Sequence, residues 1–168
     1  MNHELSLKVI EYFRNDARRI HHAMQVYGFA RTILLAEGIS GKEKNIIETA
    51  ALIHDIGIPE AERKYGSSAG NYQEIEGPPI ARGILEELSY PEEIINRVCF
   101  IVANHHSYNR IDGIDFRILV EADLIVNIYG NAMSRKASDT LISKHFVTSA
   151  GRRIAEGMYQ GKGQKGHD

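Results

Sequence analysis

At 168 residues, with 25% charged and 43% hydrophobic side chains, the chain has an ordinary globular mixture, long enough to bury a core of its own and neither disordered nor fibrous. A formal charge of −2 gives no electrostatic footprint for duplex nucleic acid, which usually needs a clustered basic face, while a small anion needs only a local site. The single cysteine, Cys99, can form no internal disulfide, and no apolar run approaches membrane-spanning length, so a membrane partner is not expected.

Residues 1–13 carry Glu4, Lys8 and Glu11 through their apolar positions, unlike a secretion signal, and a cytoplasmic location is the expectation. Helical periodicity dominates from there on. Leu5, Val9, Tyr12 and Phe13 mark a first stripe, and His22, Val26, Phe29, Ala30 and Ile33 a second, ended by Gly38. A third helix is predicted over about residues 44–56, with Ile47, Ala50, Ala51 and His54 on one face and Gly57 and Pro59 as its stop. Residues 59–77 are polar and rich in Gly and Ser and read as a long loop, a flexible lid in character. Its Ser67-Ser68-Ala69-Gly70 lacks the Gly-Lys-Ser/Thr ending of a phosphate-cradling loop, and its Tyr65 and Tyr72 are placed to stack a base.

Pro78 and Pro79 open the next predicted helix, with Ile80, Ile84, Leu85 and Leu88 on its buried face. Ser89 and Glu92 then have the spacing of a capping box. The helix that follows aligns Ile94, Val98, Ile101 and His105, with Ile95, Cys99, Val102 and His106 beside them. Asp115 is placed to cap a helix on which Phe116, Leu119, Asp123 and Val126 align. One last helix is predicted over residues 137–158. The polar stretch 161–168 reads as a flexible tail to a single domain of residues 1–160.

His22, His54 and Asp123 each occupy an apolar stripe on a different predicted helix, where an unpaired polar group costs about 2–7 kcal/mol. Singly, each has a structural explanation: a hydrogen-bonded core histidine, a local cap, an arginine partner. Jointly they require coincidences on three buried faces. Helices packing those faces together bring the three side chains to one point, and Asp55 adjoins His54. Two imidazoles and two carboxylates suit a divalent transition ion.

The order His22, then His54-Asp55 within Ala-Ala-Leu-Ile-His-Asp-Ile-Gly, then Asp123 within Glu-Ala-Asp-Leu-Ile, resembles the HD superfamily of metal-dependent phosphohydrolases over about residues 17–130. The resemblance implies an all-α bundle of about six to eight helices, with the long loop after the metal-ligand helix. It further implies hydrolysis of phosphomonoesters or phosphodiesters, often of nucleotides, by metal-activated water, with iron, manganese, cobalt, zinc or nickel held by His22, His54, Asp55 and Asp123.

One ion is the default expectation. Relatives holding two commonly place a histidine where this chain has Glu76, and the alternative here is a second ion on Glu76, one of His105 and His106, and a bridging Asp55. Gly113-Ile114-Asp115 stands where the cyclic-dinucleotide phosphodiesterases carry Gly-Tyr-Pro. Asp55 or Glu60 would position or deprotonate the water, and His105 or His106 would contact phosphate or protonate the leaving oxygen. Arg19, Arg63, Lys64 and Asn104 are the candidates for binding substrate, since phosphoryl transfer rests on positioning and charge stabilisation. A di-iron oxygenase of the same fold and a non-catalytic nucleotide-binding module are the competing readings, and homodimerisation enters only as a base rate for soluble enzymes.

Overall fold

A computed structural model describes residues 2–160, and among these there are helices and no strand. In chain order the α-helices are α1 (Asn2–Phe13), α2 (Ala17–Ala36), α3 (Gly41–Ile53), α4 (Ile58–Tyr65), α5 (Gly70–Glu87), α6 (Glu92–Val102), α7 (Ile114–Gly130), α8 (Arg135–His145) and α9 (Ser149–Tyr159), with a 3-10 turn at Tyr108–Arg110 before α7. None of them is long and apolar enough to cross a membrane. The expected tail, 161–168, lies outside the described residues.

Two helices form the centre. Every residue of α3 from Ile46 to Ile53 is buried, and α7 is buried from Ile118 through Val126. Helices hydrophobic on all sides belong in the interior. α2 packs on both of them through Ala23, Val26, Ala30, Ile33 and Leu34, and α3 and α7 pack on each other. The three helices carrying His22, His54 and Asp123 are therefore mutual neighbours, as the stripes require.

Their ends follow local chemistry. Asp16 caps α2 by accepting the backbone N–H of Arg19 at 3.1 Å, and Gly38, with φ of +73°, turns the chain out of it. α3 begins earlier than periodicity indicates and ends at Ile53, with His54 as its C-cap.

The long loop expected over 59–77 is helical at both ends, leaving only a short link between α4 and α5. Pro59 falls in the first turn of α4, where a missing N–H costs nothing. Gly66, at φ +63°, ends that helix in the left-handed region. Pro78 and Pro79 lie inside α5 instead of opening it. A mid-helix proline costs about 3 kcal/mol, which the packing of α5 on α4 and α6, with Gln73, Gly77, Ala81 and Leu85 buried, outweighs.

Further differences lie at caps. Ser89 adopts φ +56° at the end of α5, and α6 is entered through Pro91 with no side-chain cap. Gly113 precedes α7, and Asp115 instead binds Arg97, whose Nε and terminal nitrogen each lie 2.7 Å from its carboxylate. The single helix expected over 137–158 is broken at 146–148. There the buried Glu121 of α7 accepts the N–H groups of Val147 at 2.6 Å and Thr148 at 3.0 Å and the Thr148 hydroxyl. Thr148 in turn caps α9 by accepting from Gly151 at 3.0 Å.

Candidate metal centre

His54 leaves the end of α3 almost fully buried, and its Nδ1 lies 3.1 Å from the Ala51 carbonyl oxygen. A carbonyl only accepts, so in the neutral ring Nδ1 carries the proton and Nε2 the lone pair, the arrangement of a metal-ligating imidazole. That Nε2 stands 3.2 Å from His22 Nε2, 3.5 Å from Asp55 Oδ2 and 3.6 Å from Asp123 Oδ1. His22 Nε2 is 3.3 Å from the same Asp55 oxygen and 3.1 Å from the same Asp123 oxygen. Donors bound at about 2.0–2.2 Å to one divalent ion are separated by about 3–3.5 Å, so these four side chains fit one ion.

Asp55 has a second face. Its Oδ1 lies 3.5 Å from His105 Nε2, a buried atom with no hydrogen-bond partner. His105 Nδ1 is 2.8 Å from the Val102 carbonyl oxygen, which leaves Nε2 as the ring atom turned toward Asp55. His106 stacks beside it, ring centroids 4.0 Å apart, and one donor atom from each of Asp55, His105 and His106 forms a second group, all within 4.8 Å of one another. Asp55 thus stands between two donor groups with one oxygen toward each, as a bridging carboxylate does.

The electrostatics follow from this crowding. Burial pushes the His54 imidazole down, but the charges of Asp55 and Asp123 more than reverse it and lift it to about 9. Burial raises both carboxyls as well, and the histidines outweigh it: His54 and His105 hold Asp55, and His22 and His54 hold Asp123, well below the usual carboxylate range. His106 is lowered to about 4 by burial and by His105. Removing protons from such a set is what an incoming cation does.

A cleft of about 270 Å³ opens on His22 and Asp55, and Arg18, Arg19, Ser68 and Asn127 are among its lining residues. The other residues singled out in the sequence are placed unevenly. Arg19 lines the cleft, but its guanidinium is engaged by Asp16 at 2.9 Å and Glu62 at 2.6 Å. Glu60 is gripped by Arg63 at 2.6 and 2.7 Å and by Lys64 at 3.3 Å, and these bonds hold its carboxyl at about 2. Glu76 accepts from Lys64 at 2.6 Å and from the Tyr65 hydroxyl at 2.8 Å, and it is not part of the second donor group. Asn104, just past the end of α6, donates back to the Phe100 carbonyl of that helix at 2.7 Å. Tyr65 and Tyr72 stack on each other, centroids 4.2 Å apart. Glu60, Arg63, Lys64 and Asn104 do not line the cleft.

Asn127 and Arg18, both lining the cleft, are not picked out from the sequence. Asn127 donates from Nδ2 to Asp123 Oδ1 at 2.9 Å, fixing that carboxylate from one turn further along α7. An amide in the apolar run 124–128, four residues after the aspartate on the predicted stripe, was the available signal. Arg18 had none that distinguished it from Arg19.

The family model of the HD domain matches residues 19–147 of this chain. In structure the chain is similar to a predicted HD superfamily hydrolase from an uncultured Thermotogales bacterium, with a TM-score of 0.68 and 24% sequence identity over 94% of this chain and 84% of that one. No curated protein matches it.

Proposed function

The chain belongs to the HD domain family, and from that premise we propose that it is a metal-dependent phosphohydrolase, cleaving a phosphomonoester or phosphodiester of a small molecule, nucleotides first among them. One observation carries the reading: four donors from His22, His54, Asp55 and Asp123 are spaced for one ion, and two of them, His22 and Asp55, line an open cleft. Structural zinc sites are closed and cysteine-rich, and this set is neither. A divalent ion bound there would supply Lewis acidity toward a phosphoryl oxygen and a lowered pKa for water.

The chain's own residues do the positioning. Ala51 fixes the tautomer of His54, and Asn127 fixes the carboxylate of Asp123. Of the two carboxylates considered as base, Glu60 is tied up by Arg63 and Lys64, which leaves Asp55 to orient water. The oxygenase alternative, which requires six good ligands, is weakened by the engagement of Glu76 with Lys64 and Tyr65.

The experiment is elemental analysis of the purified protein beside His54→Ala, then phosphate release from a nucleotide and phosphoester panel with Mn, Co, Mg and Fe. Metal in the wild type alone with metal-dependent release is the expected result. No metal in either protein and no turnover would sink the proposal. An oxidised-iron chromophore would favour the oxygenase instead.

A further inference from the structure

The cleft does not end at His22. A second cavity, of about 370 Å³, runs between α2 and α7 and shares Arg18, His22 and Asn127 with the first, of about 270 Å³. The two are halves of one cleft that meet at a metal-donor histidine. They differ in chemistry. The smaller half holds two carboxylates, Asp55 of the donor set and Asp16, which is paired with Arg19, whereas the larger half has no acidic lining residue.

Arg18 stands at the junction. It lies one turn before His22 on the same face of α2, and among the described residues it makes no hydrogen bond or ion pair. Arg19, its neighbour, is committed to Asp16 and Glu62. The cation free to meet an incoming anion beside the metal donors is therefore Arg18, and a guanidinium takes two phosphoryl oxygens at once.

The larger half offers a different set of contacts. Gln25 and Asn131 line it with amides that have no partner among the described residues. Each amide carries both a donor and an acceptor. Tyr129 stands at the end of α7, 79% exposed, with its ring available from solvent. Amide edges beside an aromatic face suit a flat heterocycle with a hydrogen-bonding rim.

We propose that Arg18 takes the phosphoryl charge of the substrate and that the half of the cleft between α2 and α7 holds its leaving group, a nucleoside, against Tyr129, Gln25 and Asn131. This inference rests on the hydrolase reading for the site and adds which residues select the substrate. It assigns to Arg18 the role that the sequence suggested for Arg19.

The test is calorimetric titration of the whole chain, with and without manganese. The probes are methylphosphonate and the 5′-phosphonate analogues of the common ribonucleosides, in which carbon replaces the scissile oxygen. At least one nucleoside phosphonate is expected to bind about tenfold tighter than methylphosphonate. Arg18→Ala is expected to weaken both classes about tenfold, with partial recovery in Arg18→Lys. Gln25→Ala combined with Tyr129→Ala is expected to bring the nucleoside analogue down to the methylphosphonate level. Equal binding of the two classes in the wild type, or no effect of Arg18→Ala, overturns the inference. The two readings separate cleanly. Nucleoside binding through these residues without phosphate release from any ester leaves the subsite and removes the hydrolase, and release from other esters without nucleoside preference does the reverse.

Discussion

Asn127 shows how little of a site's precision is written in its ligands. Its amide holds the Asp123 oxygen at 2.9 Å from one helical turn away, and outer partners of this kind typically contribute about 10–100-fold in metal affinity. Asn127→Ala is expected to weaken manganese binding by about that factor while helical content is unchanged, measured by titration beside circular dichroism; unaltered affinity would make Asn127 a bystander. His22, His54 and Asp123 were legible in the sequence because a charged or imidazole group on an apolar stripe stands out locally, and Asp55 through its adjacency to His54. The outer cations were not. Arg18 and Arg19 are equivalent as letters, and only the proximity of Asp16 and Glu62 decides which of them is occupied.

Among the elements, α4 and α5 were the least legible. Their helicity depends on each other: a Cβ on Gly57 would stand 2.6 Å from the Gln73 carbonyl oxygen and 2.6 Å from the Gly77 nitrogen. These are backbone atoms that cannot rotate away. Gly57→Ala is expected to destabilise the fold by about 3 kcal/mol, read as a lower midpoint in urea, and a neutral outcome would mean that α4 and α5 are less closely apposed. A stretch rich in Gly, Ser and Pro reads as loop when neighbours are ignored, and here close backbone packing is what the glycine permits. Glu121 plays the equivalent part at the α8–α9 break. Its removal in Glu121→Ala leaves the buried Thr148 N–H without its acceptor, and a loss of about 2–3 kcal/mol is expected in the same measurement. Periodicity alone runs through 137–158 because the residue that interrupts it lies on another helix.

For the molecule as a whole, metal and acid should act in opposite directions. An ion that binds only the folded chain, at about a hundred times its Kd, adds about 2.7 kcal/mol and raises Tm by about 5–10 °C; a chelator should reverse the shift and His54→Ala abolish it. On the acid side, Glu60 is held at about 2, against an ordinary value of 4.5, by Arg63 and Lys64. Glu76 and Asp112 are lowered by Lys64 with Tyr65 and by Arg97. A carboxyl lowered by folding stabilises the fold above its unfolded value and ceases to do so as pH falls through its folded one. Stability of the chelated protein should therefore fall between about pH 4.5 and about 2, and less steeply in Glu60→Gln; parallel curves would discount that cluster. By itself the sequence determined the all-helical class and which four side chains meet, because hydrophobic period and misplaced polarity are local properties of a chain. Only the tertiary structure decided that the presumed loop is helix, that Glu76 is engaged by Lys64, and that Arg18 is the unpaired cation at the cleft, because those outcomes are set by partners distant in sequence and brought together by packing.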